Sequence, residues 1–213
     1  MINLWKPLNQ KKDKVAQITR SIIHELYANG NPNKRVLSGI RRAPVVTDPG
    51  AQDVWPMMFG KLDKGMLSRT GKPTIFETAI YTTVYLYAIH QQSQDQFVFG
   101  RAGNDDTADG VTFWAALSNF RRDENAQKAL DRRVQAVLKS TNITSVINGI
   151  THLVAILKAG STHQKIDYAR LASELYVFQI GFKQAREVQL AWGQQYYRFI
   201  KPVTTPKGEN DHG

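Results

Sequence analysis

The chain has 213 residues, 42% of them hydrophobic and 10% aromatic, which suffices for one large or two small globular domains with a real core and excludes a disordered chain. It carries 28 Lys and Arg against 18 Asp and Glu, a net charge of +10 that favours polyanions (nucleic acid or an anionic membrane surface) unless the surface is only generically basic. There is no cysteine, so disulfides and thiolate zinc sites are excluded and a reducing, cytoplasmic setting is expected.

The opening MINLWKPLNQKKDK has no apolar core of a secretory signal, and no run of about 18 uncharged apolar residues offers a membrane span. Residues 10–28 are expected to form the first helix, because Val15, Ile18, Ile22, Ile23 and Leu26 recur at helical spacing. Asn29-Gly30-Asn31-Pro32-Asn33 stops it, and a short helix from Lys34 to Arg42 ends at the Ala43-Pro44 bond. VVTDPGAQDVWPMMFGKL reads as a loop and then a short helix that turns its aromatic side inward.

Thr74-Ile75-Phe76-Glu77 is a capping box, with Pro73 just ahead of it. The helix it opens, to about Gln92, is apolar on nearly every side and belongs in the middle of a bundle. Tyr81, Tyr85 and Tyr87 are read as core residues whose hydroxyls find partners. QDQFVFGRAGNDDTADG, from Gln94 to Gly110, is loop-like and is expected to separate two lobes, residues 1–100 and 101–201.

A helix at 111–119 precedes a basic amphipathic one that starts near Asp123, whose acid complements the helix dipole together with Glu124. On that helix Ala126, Leu130, Val134, Val137 and Leu138 share one face. Arg121, Lys128, Arg132 and Lys139 follow at spacings of 7, 4 and 7 and form a row on the opposite side. Further helices are expected at Ile143–Lys158, stopped by Ala159-Gly160, at Tyr168–Phe178 behind Asp167, and at Lys183–Lys201. Residues 202–213 read as a frayed tail. With no strand-like alternation or hairpin turn, the expected fold is all-α, a two-lobed bundle of about eight to nine helices.

The sequence offers no catalytic constellation. Its five histidines form no H-E-x-x-H pair, and there is no phosphate-cradling glycine motif or G-x-S-x-G elbow. His90 is read as a hydrogen-bonded structural residue, and Asp105, Asp106 and Asp109 as solvated turn acids rather than a metal site. No cofactor or metal is expected. What remains is cationic: Lys34, Arg35, Arg41 and Arg42 around the short helix, and Arg121, Arg122, Lys128, Arg132, Arg133 and Lys139 on the central one. Guanidinium groups bind phosphate bidentately and release condensed counterions. Such a row is commonly a solvated face, yet a solubilising helix mixes signs, and between Lys128 and Lys139 only Asp131 is acidic and it projects elsewhere.

Three stretches, taken in order, resemble the CasB family, the small subunit of the type I-E CRISPR Cascade surveillance complex. They are SGIRRAPVVTDPGAQDVWPMMF, KPTIFETAIYTTVYLYAIHQQS, and the segment from Gly110-Val111 through DRRVQAVL to ARLASELYVFQ and REVQLAWGQQYYRF. The resemblance covers roughly residues 12–200. It implies a two-lobed helical protein without known catalysis of its own, partnered by CRISPR RNA, target DNA, other Cas proteins and a second copy of itself. Such a subunit would steady the target and displaced strands of an R-loop, a nearly balanced exchange that backbone contacts can tip.

By position, the resemblance carries nucleic-acid contact to Arg41-Arg42, Arg132-Arg133 and Arg101. Where the family pattern commonly has an Arg this chain has Ala115 and Ala116, and where it has an Arg pair this chain has Thr151-His152. The expected surface therefore leans on the central helix and on Lys34 to Arg42. The alternative is a helical scaffold acting through protein–protein assembly, its charge incidental.

Overall fold

The computed structural model describes residues 5–122, 124–160 and 164–198, with side chains for all of these except 5–6, 122 and 124–126. Nine α-helices lie among the described residues: α1 (Trp5–Tyr27), α2 (Lys34–Arg41), α3 (Trp55–Phe59), α4 (Ile75–Gln91), α5 (Phe113–Asn119), α6 (Glu124–Lys139), α7 (Ile143–Ala159), α8 (Tyr168–Phe178) and α9 (Phe182–Tyr197). No strand occurs among them, only isolated bridges. The fold is all-α.

Local chemistry sets most of the boundaries. α1 starts about a turn earlier than its apolar periodicity alone indicates and buries Val15, Ile18, Ile22, Ile23 and Leu26. Asn29 and Gly30 then take positive φ values of 52° and 95°, which end the helix. Asn33 caps α2 by accepting from the Val36 amide at 3.2 Å. The 3₁₀ turn Pro49–Val54 lies backbone to backbone on α2, since a Cβ on Gly50 would stand 2.6 Å from the Gly39 carbonyl oxygen. α3 departs from expectation: it buries Met58, while Trp55 and Phe59 stay half-exposed. Trp55 has spent its indole N–H on the Val46 carbonyl, 2.9 Å away, so its ring is held at the rim rather than turned inward.

The capping box opens α4 as expected. Thr74 Oγ1 accepts from the Glu77 amide at 3.1 Å, and Glu77 Oε2 accepts from the Thr74 amide at 2.7 Å. The helix behind it is buried on nearly every side. Tyr81 donates its hydroxyl to the Ala43 carbonyl at 2.6 Å, whereas the Tyr87 hydroxyl is buried without a partner. His90 meets the Tyr168 hydroxyl through Nδ1 at 2.9 Å.

Residues 92–112 follow no regular element, but they are anchored rather than loose. Val98 and Val111 accept from the Ile166 and Asp167 amides at 2.8 and 2.9 Å, and Asp167 both caps α8 and accepts from the Ala102 amide.

Packing cuts across chain order at α8. Although it follows residue 101, α8 packs chiefly on α1 and α4, and Ser173 Oγ donates to the Lys12 carbonyl at 2.8 Å. α5, α6, α7 and α9 form the other group, centred on Trp114 and Trp192 with ring centroids 4.9 Å apart. Contacts of α4 with α7 and of α8 with α9 join the two groups around one continuous core.

Candidate nucleic-acid interface

α6 packs Leu130, Val134 and Val137 fully against α7 and α9, with Leu138 half-buried; the Ala126 side chain lies outside the described residues. With that stripe inward, Lys128, Arg132, Arg133 and Lys139 are exposed, and no acid lies within ion-pair distance of any of them among the described residues. Arg133 only brushes its own helix, at 3.3 Å from the Ala129 carbonyl.

Arg121 does not join the row. It sits in a 3₁₀ turn, Phe120–Arg122, ahead of α6 and turns back onto the protein. Its Nε and Nη2 grip the two carboxylate oxygens of Asp131 at 2.9 and 3.2 Å, and its guanidinium lies over the rings of Tyr196 and Tyr197. The Asp131 hydrogen bond raises the Arg121 pKa further. Burial pushes Asp131 upward, but hydrogen bonds from Arg121 and Tyr196 more than offset it and hold the carboxyl below its ordinary range. Arg121 is thus a structural ion, and Asp131 projects away from the row because Arg121 takes it. The expectations for the Arg122 side chain and the Asp123 helix start lie outside the described residues.

Arg101 is likewise diverted. Its guanidinium donates to Asp105 and Thr107 within its own loop. Those bonds, Thr107 first, lower the Asp105 pKa to about 2, and Lys165 holds Asp109 in the same way at 2.8 Å. Asp105 and Asp109 thus serve local cations. No group of three or more His, Asp or Glu side chains gathers as a metal site among the described residues.

α2 carries the second cationic group. Arg35 is highly exposed and reaches Asp53 only at 3.4 Å, while Arg42 donates to Ser38 Oγ at 3.1 Å. Arg41 is half-buried with no acid in ion-pair distance among the described residues. Burial, and secondarily Arg42, lower its pKa. With Lys34 it lines a cleft of about 560 Å³ between α2 and the end of α4. A cation that the sequence reading passed over faces this region: Lys158, in the last turn of α7, donates to Gln92 Oε1 at 2.9 Å. In the sequence Lys158 is one lysine before a helix stop; only the packing of α7 on α4 brings it beside Arg41. Its charge, after burial itself, holds His90 neutral, with a pKa lowered to about 4.

Residues 36–197 match the family described as CRISPR-associated protein Cse2. The chain belongs to that family. Among solved structures, the crystal structure of CasB from Thermobifida fusca is similar, at 25% identity over 87% of this chain and 96% of that one, with a TM-score of 0.61. No curated protein matches the chain. Cse2 membership makes it a CasB-type subunit of the type I-E Cascade complex in CRISPR defence, associated with other Cas proteins. The Cse2 family is one of structural subunits without a known enzymatic activity. No helix among the described residues is long and apolar enough to cross a membrane.

Proposed function

We propose that this Cse2-family chain is a non-catalytic, cytoplasmic subunit that steadies the target and displaced DNA strands of an R-loop within a complex holding CRISPR RNA and a second copy of the chain. The observation that carries this reading is the run of exposed cations on α6 (Lys128, Arg132, Arg133, Lys139) with no acid in ion-pair distance among the described residues. Lys34, Arg35 and Arg41 on α2, with Arg42 at its C-cap, form a second cationic group, in which Arg35 reaches Asp53 at 3.4 Å. Phosphate contacts of this kind position a strand without reading its sequence, which suits a subunit whose specificity comes from guide pairing elsewhere. Arg101 and Arg121 belong to the scaffold that presents them.

The test is DNA retention against salt. Arg132→Ala with Lys139→Ala should weaken binding equally for all sequences and lower the log–log salt slope by about 1 per lost phosphate contact. Arg121→Gln should instead destabilise the fold by about 2 kcal/mol, because it leaves the Asp131 carboxylate without its ion partner, and should leave the slope alone. An unchanged affinity and slope in the α6 double variant would mean that the row is only a solvated face.

One observation favours assembly as a second reading. Phe182, Leu190 and Tyr197 lie along one side of α9, with exposures of 68%, 64% and 41%. An apolar stripe of that kind suits a protein neighbour. Under this reading alone, the purified chain shows no salt-dependent retention of DNA or RNA yet still co-purifies with Cas proteins when tagged in its host.

A further inference from the structure

Resting on the nucleic-acid reading above, we infer that Arg41, Lys158 and Gln92 form a single phosphodiester site where α2 and α7 face each other across the end of α4. Arg41 and Lys34 line one wall of the cleft, and Gln92 and Gln94 line the other. Gln94 also borders the neighbouring recess on which Lys158 stands. Gln92 Oε1 holds the Lys158 ammonium at 2.9 Å, which aims an otherwise flexible side chain at the cleft.

Neither Arg41 nor Lys158 has an acid in ion-pair distance among the described residues; the one acid on the cleft wall, Asp95, is exposed. The two cations are pushed in the same direction: burial first, and then Arg41, lowers Lys158, while burial and Arg42 lower Arg41. Two half-buried like charges without an acid between them are unfavourable in the free protein, and an anion shared by both relieves that strain. Arginine supplies a planar fork and lysine a point charge, so one phosphate can be held from two sides. The cleft, at about 560 Å³ and open, takes a strand passing through rather than an enclosed ion. Because the cations come from elements far apart in the chain, a bound strand would tie α2 to α7.

The test is a double-mutant cycle on the purified full chain with labelled oligothymidylate, comparing Arg41→Gln, Lys158→Gln and the two combined. Each single variant should weaken binding by about tenfold. The combination should be scarcely worse than either, with the salt slope reduced by about 1 rather than 2, because both side chains serve one phosphate. Thermal unfolding midpoints should not fall in Lys158→Gln, which removes a repelled charge. Additive losses, or an unchanged affinity in Lys158→Gln while the α6 double variant still loses affinity, would overturn this site and leave the wider reading standing. Absence of any salt-dependent binding by the unmodified chain would overturn both. Competition by inorganic phosphate that depends on Lys158, without loss of oligothymidylate binding in Lys158→Gln, would assign the site to a free ion and overturn the strand.

Discussion

Arg121 and His90 show how a single side chain's role is set by what folds against it. The spacing of Arg121 from Lys128 suits a shared helix face, but Arg121 sits in a 3₁₀ turn rather than on α6, and Asp131 with two tyrosines captures the guanidinium. His90 is 6% exposed, bonded to Tyr168 and near Lys158, and its pKa lies at about 4. A histidine whose folded pKa is depressed binds its proton more readily unfolded. Its contribution is therefore complete above the ordinary value of 6.5 and is lost as pH falls towards 4. By pH 5 the loss should reach about 2 kcal/mol. His90→Gln, which can keep a partner for the Tyr168 hydroxyl, should remove that component when denaturant midpoints are compared at pH 7 and pH 5. An equal loss in both proteins would assign the acid sensitivity to other groups.

At the scale of elements, α6 depends on a close approach to α7. A Cβ on Gly149 would meet Val137 Cγ2 at 2.4 Å, and Val137 is 2% exposed and stiff at χ1. Glycine inside a helix ordinarily costs about 1 kcal/mol relative to alanine, so a change to alanine should stabilise an uncrowded helix. Here crowding should win. Gly149→Ala is expected to lower stability by about 1–2 kcal/mol in chemical denaturation, and adding Val137→Ala should recover part of the loss. A gain in stability from Gly149→Ala would show that α6 can shift outward freely, and that its cationic row is not rigidly presented.

Across the whole molecule, α8 is the element that matters most for integrity. It comes after the 92–112 connection in the chain, yet it covers α1 and α4 and joins α9 through Glu174, which accepts from Trp192 Nε1 at 2.8 Å and from Arg170 Nε at 3.1 Å. A fragment of residues 1–100 would leave the apolar faces of α1 and α4 bare. It should be largely unfolded by far-UV circular dichroism and amide exchange, and a synthetic 164–198 peptide added in trans should restore helicity. A cooperatively folded 1–100 fragment would instead mean that the N-terminal lobe is autonomous.

Periodicity, caps and stops are local properties, so α4 with its Thr74–Glu77 box, the inward stripe of α6 and the Asp167 start of α8 could be read directly from the residues. The all-α class followed from them, and the order of the three CasB-like stretches carried the family. Tertiary structure decided what depends on distant neighbours. It removed Arg121 from the free cations, because Asp131 and two tyrosines fold onto it, and it left Trp55 at a rim. It moved α8 to the opposite group of helices and set Lys158 beside Arg41. No spacing encodes these outcomes, since each pairs residues whose separation along the chain says nothing about their separation in space.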